Sequence, residues 1–147
     1  MLELIVTLVI TVSSVLLFGY WFRYTCLLIV SARTTRDYAA DIATANQLSF
    51  LQVQAHLRDH QGADLDNLQA ALDRDLKVIT YLIQNASGEW GMEERMLQVN
   101  YRLMGAWFGV SSHFSPEAGR RALDEMSMII SHFANAMGER AAVGAAA

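Results

Sequence analysis

Leu4-Ile-Val-Thr-Leu-Val-Ile-Thr-Val-Ser-Ser-Val-Leu-Leu-Phe-Gly-Tyr-Trp-Phe22 carries no charged residue over its whole length. As a helix rising about 1.5 Å per residue it is roughly 28 Å long, the hydrocarbon thickness of a bilayer. That stretch predicts a membrane anchor, and the rest of the reading works outward from it. On its N-terminal side stands only Met1-Leu2-Glu3, without Lys or Arg, and no A-x-A-like site closes the apolar run. Both features argue for a retained anchor over a cleaved leader.

On its C-terminal side come Arg23, Arg33 and Arg36, against Glu3 alone before the span. Lys/Arg excess marks the cytoplasmic side, so the expected orientation is N-terminus outside and the remaining chain cytoplasmic, in a cell (inner) membrane. Phe18, Tyr20, Trp21, Phe22 and Tyr24 gather where the span ends. With Arg23 in their midst, Tyr20, Trp21 and Tyr24 read as membrane-interface residues at one headgroup layer. Within the span, Thr7, Thr11 and Ser14 fall on nearly one face. Small hydroxyl residues at this spacing let transmembrane helices pack closely, and a hydroxyl that bonds its own backbone carbonyl is the alternative.

The remaining chain reads as a small all-α domain. No proline occurs before Pro116 and Gly19 is the only glycine before Gly62. The anchor helix is therefore expected to run on through Ser31 into Tyr38-Ala-Ala-Asp-Ile-Ala43, before a bundle of about four helices. Ser49-Phe-Leu-Gln52 has the form of a capping box opening a helix that stops near Gly62. Leu65, Leu68, Leu72, Leu76, Ile79 and Ile83 recur at helical spacing in the next segment, which ends in Asn85-Ala-Ser-Gly88. A further helix occupies about Met92 to Val110. The last opens at Ser115-Pro116-Glu117, where serine caps, proline takes the first turn and glutamate favours the positive helix end. Its apolar stripe is Leu123, Met126, Ile129, Ile130, Phe133 and Met137. The expected organisation is residues 1–31 as anchor, 32–140 as cytoplasmic helical bundle, and 141–147 as a tail too short of side chains to hold itself down. No segment alternates long enough to claim a strand.

Composition excludes several functions. The net charge of −4 argues against broad nucleic-acid binding, which needs a basic surface. Cys26 is the only cysteine, so no intrachain disulfide forms; near the membrane surface it is open to acylation, or is simply an apolar filler. Phosphate-binding glycine motifs and a nucleophile elbow are missing, and Ser111-Ser112-His113 has no acid partner placed by the sequence. Glu93-Glu94 sits in a first helical turn, where acids oppose the helix dipole. His56 and His60, four residues apart, share one helix face, and Asp75 is in range to join them as a metal site. Between the histidines stand Leu57, Arg58 and Asp59 in place of a zinc-protease pattern, so no metal or cofactor is expected, and Asp75 reads as the partner of an arginine.

The helix from Met92 to Val110 is apolar on two sides. Met92, Met96, Val99, Leu103 and Val110 are assigned to the core. Leu97, Tyr101, Met104 and Phe108 are left as a second stripe, read as a partner-binding face if the helix is not central, with the membrane surface as the alternative for Trp107 and Phe108. Gly105 and Gly109 form a G-x-x-x-G that permits close helix approach. Together these features predict a non-catalytic accessory or structural subunit that docks on a larger membrane complex through its anchor, including Thr7, Thr11 and Ser14, and through its bundle. The alternatives are a homo-oligomeric membrane-anchored scaffold or signalling module, and a metal- or haem-binding redox protein using His56 and His60.

Overall fold

The computed structural model describes residues 1–32, 36–59, 64–87 and 89–146, residue 87 by its backbone only. Every element among them is a helix: α1 (Leu2–Ser31), α2 (Ala39–Asn46), α3 (Phe50–Arg58), α4 (Leu65–Ser87), α5 (Met92–Ser111) and α6 (Pro116–Ala146). The chain divides into two compact units, Met1–Ala32 and Arg33–Ala147.

The first unit is α1 alone. Its 30 residues carry only Glu3 and Arg23 as charges, no polar face runs along it, and each residue from Met1 to Trp21 is exposed. A helix that shows apolar side chains in every direction is stable only where the surroundings are apolar too. By length and composition α1 is long and apolar enough to cross a membrane. At about 1.5 Å per residue it reaches roughly 45 Å, which covers the hydrocarbon and the headgroup layers together. The helix does not continue into Tyr38–Ala43 as the missing prolines suggest. It ends at Ser31, and Ala32 is extended at φ −60°, ψ 123°. Arg33, counted in the charge asymmetry, lies outside the described residues.

Among the described residues the second unit is a bundle of five helices, one more than expected, because Ala39–Asn46 folds as an element of its own. Asp37 Oδ1 accepts the Ala39 N–H at 3.0 Å, and Asn135 of α6 accepts the Tyr38 N–H at 2.7 Å, so both N–H groups at the entry to α2 are satisfied by side chains. At the other end Gln47 turns left-handed (φ 54°) and Leu48 N–H closes onto the Ala43 carbonyl at 2.9 Å. That closure stops the helix without a glycine.

α6 is the centre of the bundle and packs against α2, α3, α4 and α5. The reason is legible along its length. Leu123, Met126, Ile129, Ile130 and Phe133 are fully buried, and between them Gly119, Ala122, Ser127, Ala134 and Gly138 keep other flanks low enough for neighbours to approach. At Gly138 the approach is closest: a Cβ there would run into Tyr38 Cβ, so only glycine lets Tyr38 rest on α6. From the expected stripe only Met137 is half-buried. In α4, Leu72, Ile79 and Ile83 are buried while Leu65, Leu68 and Leu76 sit half-buried at its rim. The segment expected to be a loose tail continues α6 to Ala146. Alanine-rich sequence has the highest intrinsic helix propensity and extends an existing helix at no nucleation cost.

Candidate functional site

α5 decides which surface the bundle offers, and the structure assigns its two stripes the opposite way from the sequence expectation. Leu97, Tyr101 and Phe108 are buried and Met104 is half-buried. Met92, Val99, Leu103, Trp107 and Val110 are exposed, from 49% for Leu103 to 80% for Met92. Both stripes are apolar, so periodicity alone does not rank them. The polar residues beside them do. Asn100 Nδ2 donates to Glu125 Oε1 of α6 at 3.0 Å, and Tyr101 Oη donates to Asp73 Oδ1 of α4 at 2.8 Å. Glu94 accepts from Arg140 near the end of α6. These groups carry their partners only on the side where Leu97, Tyr101 and Phe108 lie, and Phe108 fits against the bare Cα of Gly119. The signal was in the sequence as Glu94, Asn100 and Tyr101 on one flank, but their partners are 25 to 46 residues away and no local pattern names them.

The same contacts set the electrostatics. Burial first, then the Asp73 carboxylate, push the Tyr101 phenol well above its ordinary range. Burial holds His132 below the usual imidazole value, although Glu93, Glu94 and Glu139 pull it the other way. Its ring lies edge-on to Phe133, which in turn receives Trp90 in a T-shaped contact at 5.4 Å between centroids.

Asp75 does not join a histidine site. It is fully buried, and its Oδ2 accepts the Ser49 N–H at 2.6 Å, with the Phe50 N–H adding to the hold. The carboxylate therefore caps α3 from a different helix. Ser49, expected to cap through its own hydroxyl, makes no such bond; its Oγ accepts from Arg74 Nη2 at 2.8 Å instead. The arginine pairing expected of Asp75 exists only loosely, at 3.8 Å from Arg74 Nη2 to Oδ1, and Oδ1 is buried without a hydrogen-bond partner. Desolvation outweighs these contacts and raises the Asp75 pKa. His56 is exposed and lies seven residues beyond Ser49, roughly 10 Å along the helix from the carboxylate; His60 lies outside the described residues. Among the described residues no group of three or more His, Cys, Asp or Glu side chains converges to hold a metal ion.

An open cleft of about 1080 Å³ separates the end of α3 (Leu57, Arg58) from the start of α6 (Pro116, Arg120, Arg121). Its walls carry both signs of charge, with Arg121 bound to Glu117 at 2.6 Å, so it selects neither anions nor cations. At the mouth of α6, Ser115 Oγ accepts the Ala118 N–H at a long 3.4 Å, the capping role its sequence suggests. Gly105 meets only the side chains of Gln69 and Met126, and Gly109 faces open space, so neither brings two helix backbones together.

On α1, the Thr11 hydroxyl donates to the Thr7 carbonyl at 2.8 Å, and Thr25 to Trp21 at 2.9 Å. A helix hydroxyl bonded in this way is tolerated in an apolar medium without a partner, while its small bulk still permits close approach. Tyr20 stacks on Tyr24 at 6.4 Å and Phe18 on Phe22 at 6.5 Å, and Tyr20, Trp21 and Tyr24 all point outward. Arg23 stands between these pairs in the chain. Compared with protein-family models, with curated proteins and with solved structures, the chain matches none.

Proposed function

We propose that this protein is a non-catalytic accessory subunit of a larger membrane assembly. α1 spans a cell (inner) membrane with the N-terminus outside and the bundle on the cytoplasmic side, and the chain docks through the anchor and the bundle surface. One observation carries the reading: four polar groups buried in the bundle hold helices together, while the outer face of α5 is apolar and exposed. Asp75, Glu94, Asn100 and Tyr101 each tie one helix or its entry to another. Polar groups engaged in this way specify packing and do not serve a substrate. Met92, Val99, Leu103, Trp107 and Val110 meanwhile form a contiguous exposed apolar stripe of the kind that marks a docking surface. The charge asymmetry around α1 supports the orientation.

Extraction in a mild detergent, followed by a native gel and mass spectrometry of the co-migrating band, tests this role. The protein is expected in a band well above its own mass, together with integral membrane proteins. Migration as a monomer, or as copies of itself alone, contradicts the accessory role; the second outcome installs the homo-oligomeric scaffold in its place.

A further inference from the structure

The outer face of α5 has a charge pattern that names its occupant. At about 100° per residue, Met92, Val99, Leu103 and Val110 fall within roughly 40° of one another on the helix. Trp107 borders this stripe on one edge, and Arg95 and Arg102 border it on the other; all three are exposed. Phe114, just past the helix end, is the most exposed aromatic residue of the bundle. From Arg95 to Pro116 the sequence contains no Asp or Glu, although acids outnumber Lys and Arg in the whole chain by 15 to 11. Over that stretch the apolar face carries no acid, and Glu89 and Glu93 flank only its start at Met92. An apolar stripe with an aromatic edge and a cationic edge is the pattern by which a helix lies in the interface of an anionic bilayer.

Two further facts favour a lipid surface over a protein. Only Ala32–Tyr38 separates the end of α1 from the start of α2, and a fully extended chain of that length spans at most roughly 28 Å. A bilayer is therefore always within reach of a bundle tethered by α1. A second copy of the chain is a poorer match in antiparallel pairing, which lays the Arg95 and Arg102 edges of the two copies along one another.

We infer that α5 lies along the anionic headgroup layer of the membrane that α1 spans, with Met92, Val99, Leu103, Trp107 and Val110 inserted and Arg95 and Arg102 on lipid phosphates. This assignment rests on reading the outer face of α5 as a docking surface. It leaves α1 and the other faces of the bundle to the protein partners.

The test uses the full chain carrying Cys26→Ser and a single new cysteine, Val110→Cys, labelled with an environment-sensitive fluorophore. The protein is reconstituted at low density into phosphatidylcholine vesicles with and without phosphatidylglycerol. Nitroxide-bearing lipid and aqueous acrylamide then quench from the two sides. In the anionic vesicles the label is expected to be quenched by lipid and several-fold less open to acrylamide than in the neutral ones. Arg95→Glu with Arg102→Glu is expected to abolish the difference. A label at Leu103→Cys should behave like that at Val110, and one at Gln84→Cys on α4 should stay open to acrylamide throughout. Equal acrylamide access at Val110 in both vesicle types overturns the inference. Shielding without lipid quenching, rising with protein density, overturns it in favour of a second copy. Either result leaves the native-gel outcome untouched, so the lipid assignment and the accessory role fail separately.

Discussion

Asp75 shows how one carboxylate governs the position of an entire short helix. α3 has nine residues, too few to be stable alone, and its own Ser49 does not cap it. The N–H groups at its start are instead met by the Asp75 carboxyl from α4, which accepts the Ser49 N–H in a buried site. Asp75→Ala removes that partner and is expected to cost about 1–3 kcal/mol, read as a lower denaturant midpoint. Asp75→Asn keeps an acceptor oxygen without the buried charge, so it is expected to match wild type below pH 3.8 and to be the more stable of the two as pH rises through the folded Asp75 pKa. The pH dependence has a definite sign. Because burial raises the Asp75 pKa above its unfolded value of 3.8, the folded state binds the extra proton between the two values. The stabilisation is thus fully present below pH 3.8 and is lost as pH rises through the folded pKa. Melting temperatures of wild type and Asp75→Asn, compared across that window, should converge as the pH falls and separate as it rises if the Asn form keeps the capping bond. Parallel curves would mean that the Asp75 carboxylate is not the group titrating. Nothing in the local sequence around Asp75 announces this role, since its partner lies 26 residues earlier in the chain.

At the scale of the elements, α5 and α6 exchange the roles that their composition suggests. Two apolar stripes make α5 look central, yet α6 occupies the centre because glycine, alanine and serine let neighbours close on several of its sides. The expectation for α5 is accordingly reversed in mutation as well. Leu97→Ala, at a fully buried position, is expected to destabilise by about 2–5 kcal/mol, whereas Val99→Gln and Leu103→Gln should stay within about 0.5 kcal/mol of wild type. Thermal melts of the three variants check this directly, and a large loss for Val99→Gln or Leu103→Gln would restore the original assignment of the stripes. The starts of α5 and α6, and the buried Leu123, Met126, Ile129, Ile130 and Phe133, were legible because helix periodicity and capping chemistry are local. Which of two apolar faces is buried was not, because it depends on Arg140, Glu125 and Asp73 arriving from other helices. Nor was the break after Ser31. No proline or glycine marks it in the sequence.

For the whole molecule, the described residues form one apolar helix, long and apolar enough to cross a membrane, and one five-helix bundle. α1 shows apolar side chains on all sides from Met1 to Trp21, a surface that water penalises and a bilayer accepts. The bundle buries its apolar residues around α6 and leaves one apolar face on α5. The proposed arrangement places that face and the bundle on the side where Arg23, Arg33 and Arg36 follow the span. Its most direct test is topological. A single cysteine at Gln84, an exposed position on α4, is introduced on a Cys26→Ser background, and intact cells are treated with a membrane-impermeant maleimide. The protein is expected to stay in the membrane fraction after carbonate washing, and Gln84→Cys to react only once the membrane is permeabilised. Release by carbonate contradicts the span, and ready labelling in intact cells contradicts the cytoplasmic placement of the bundle.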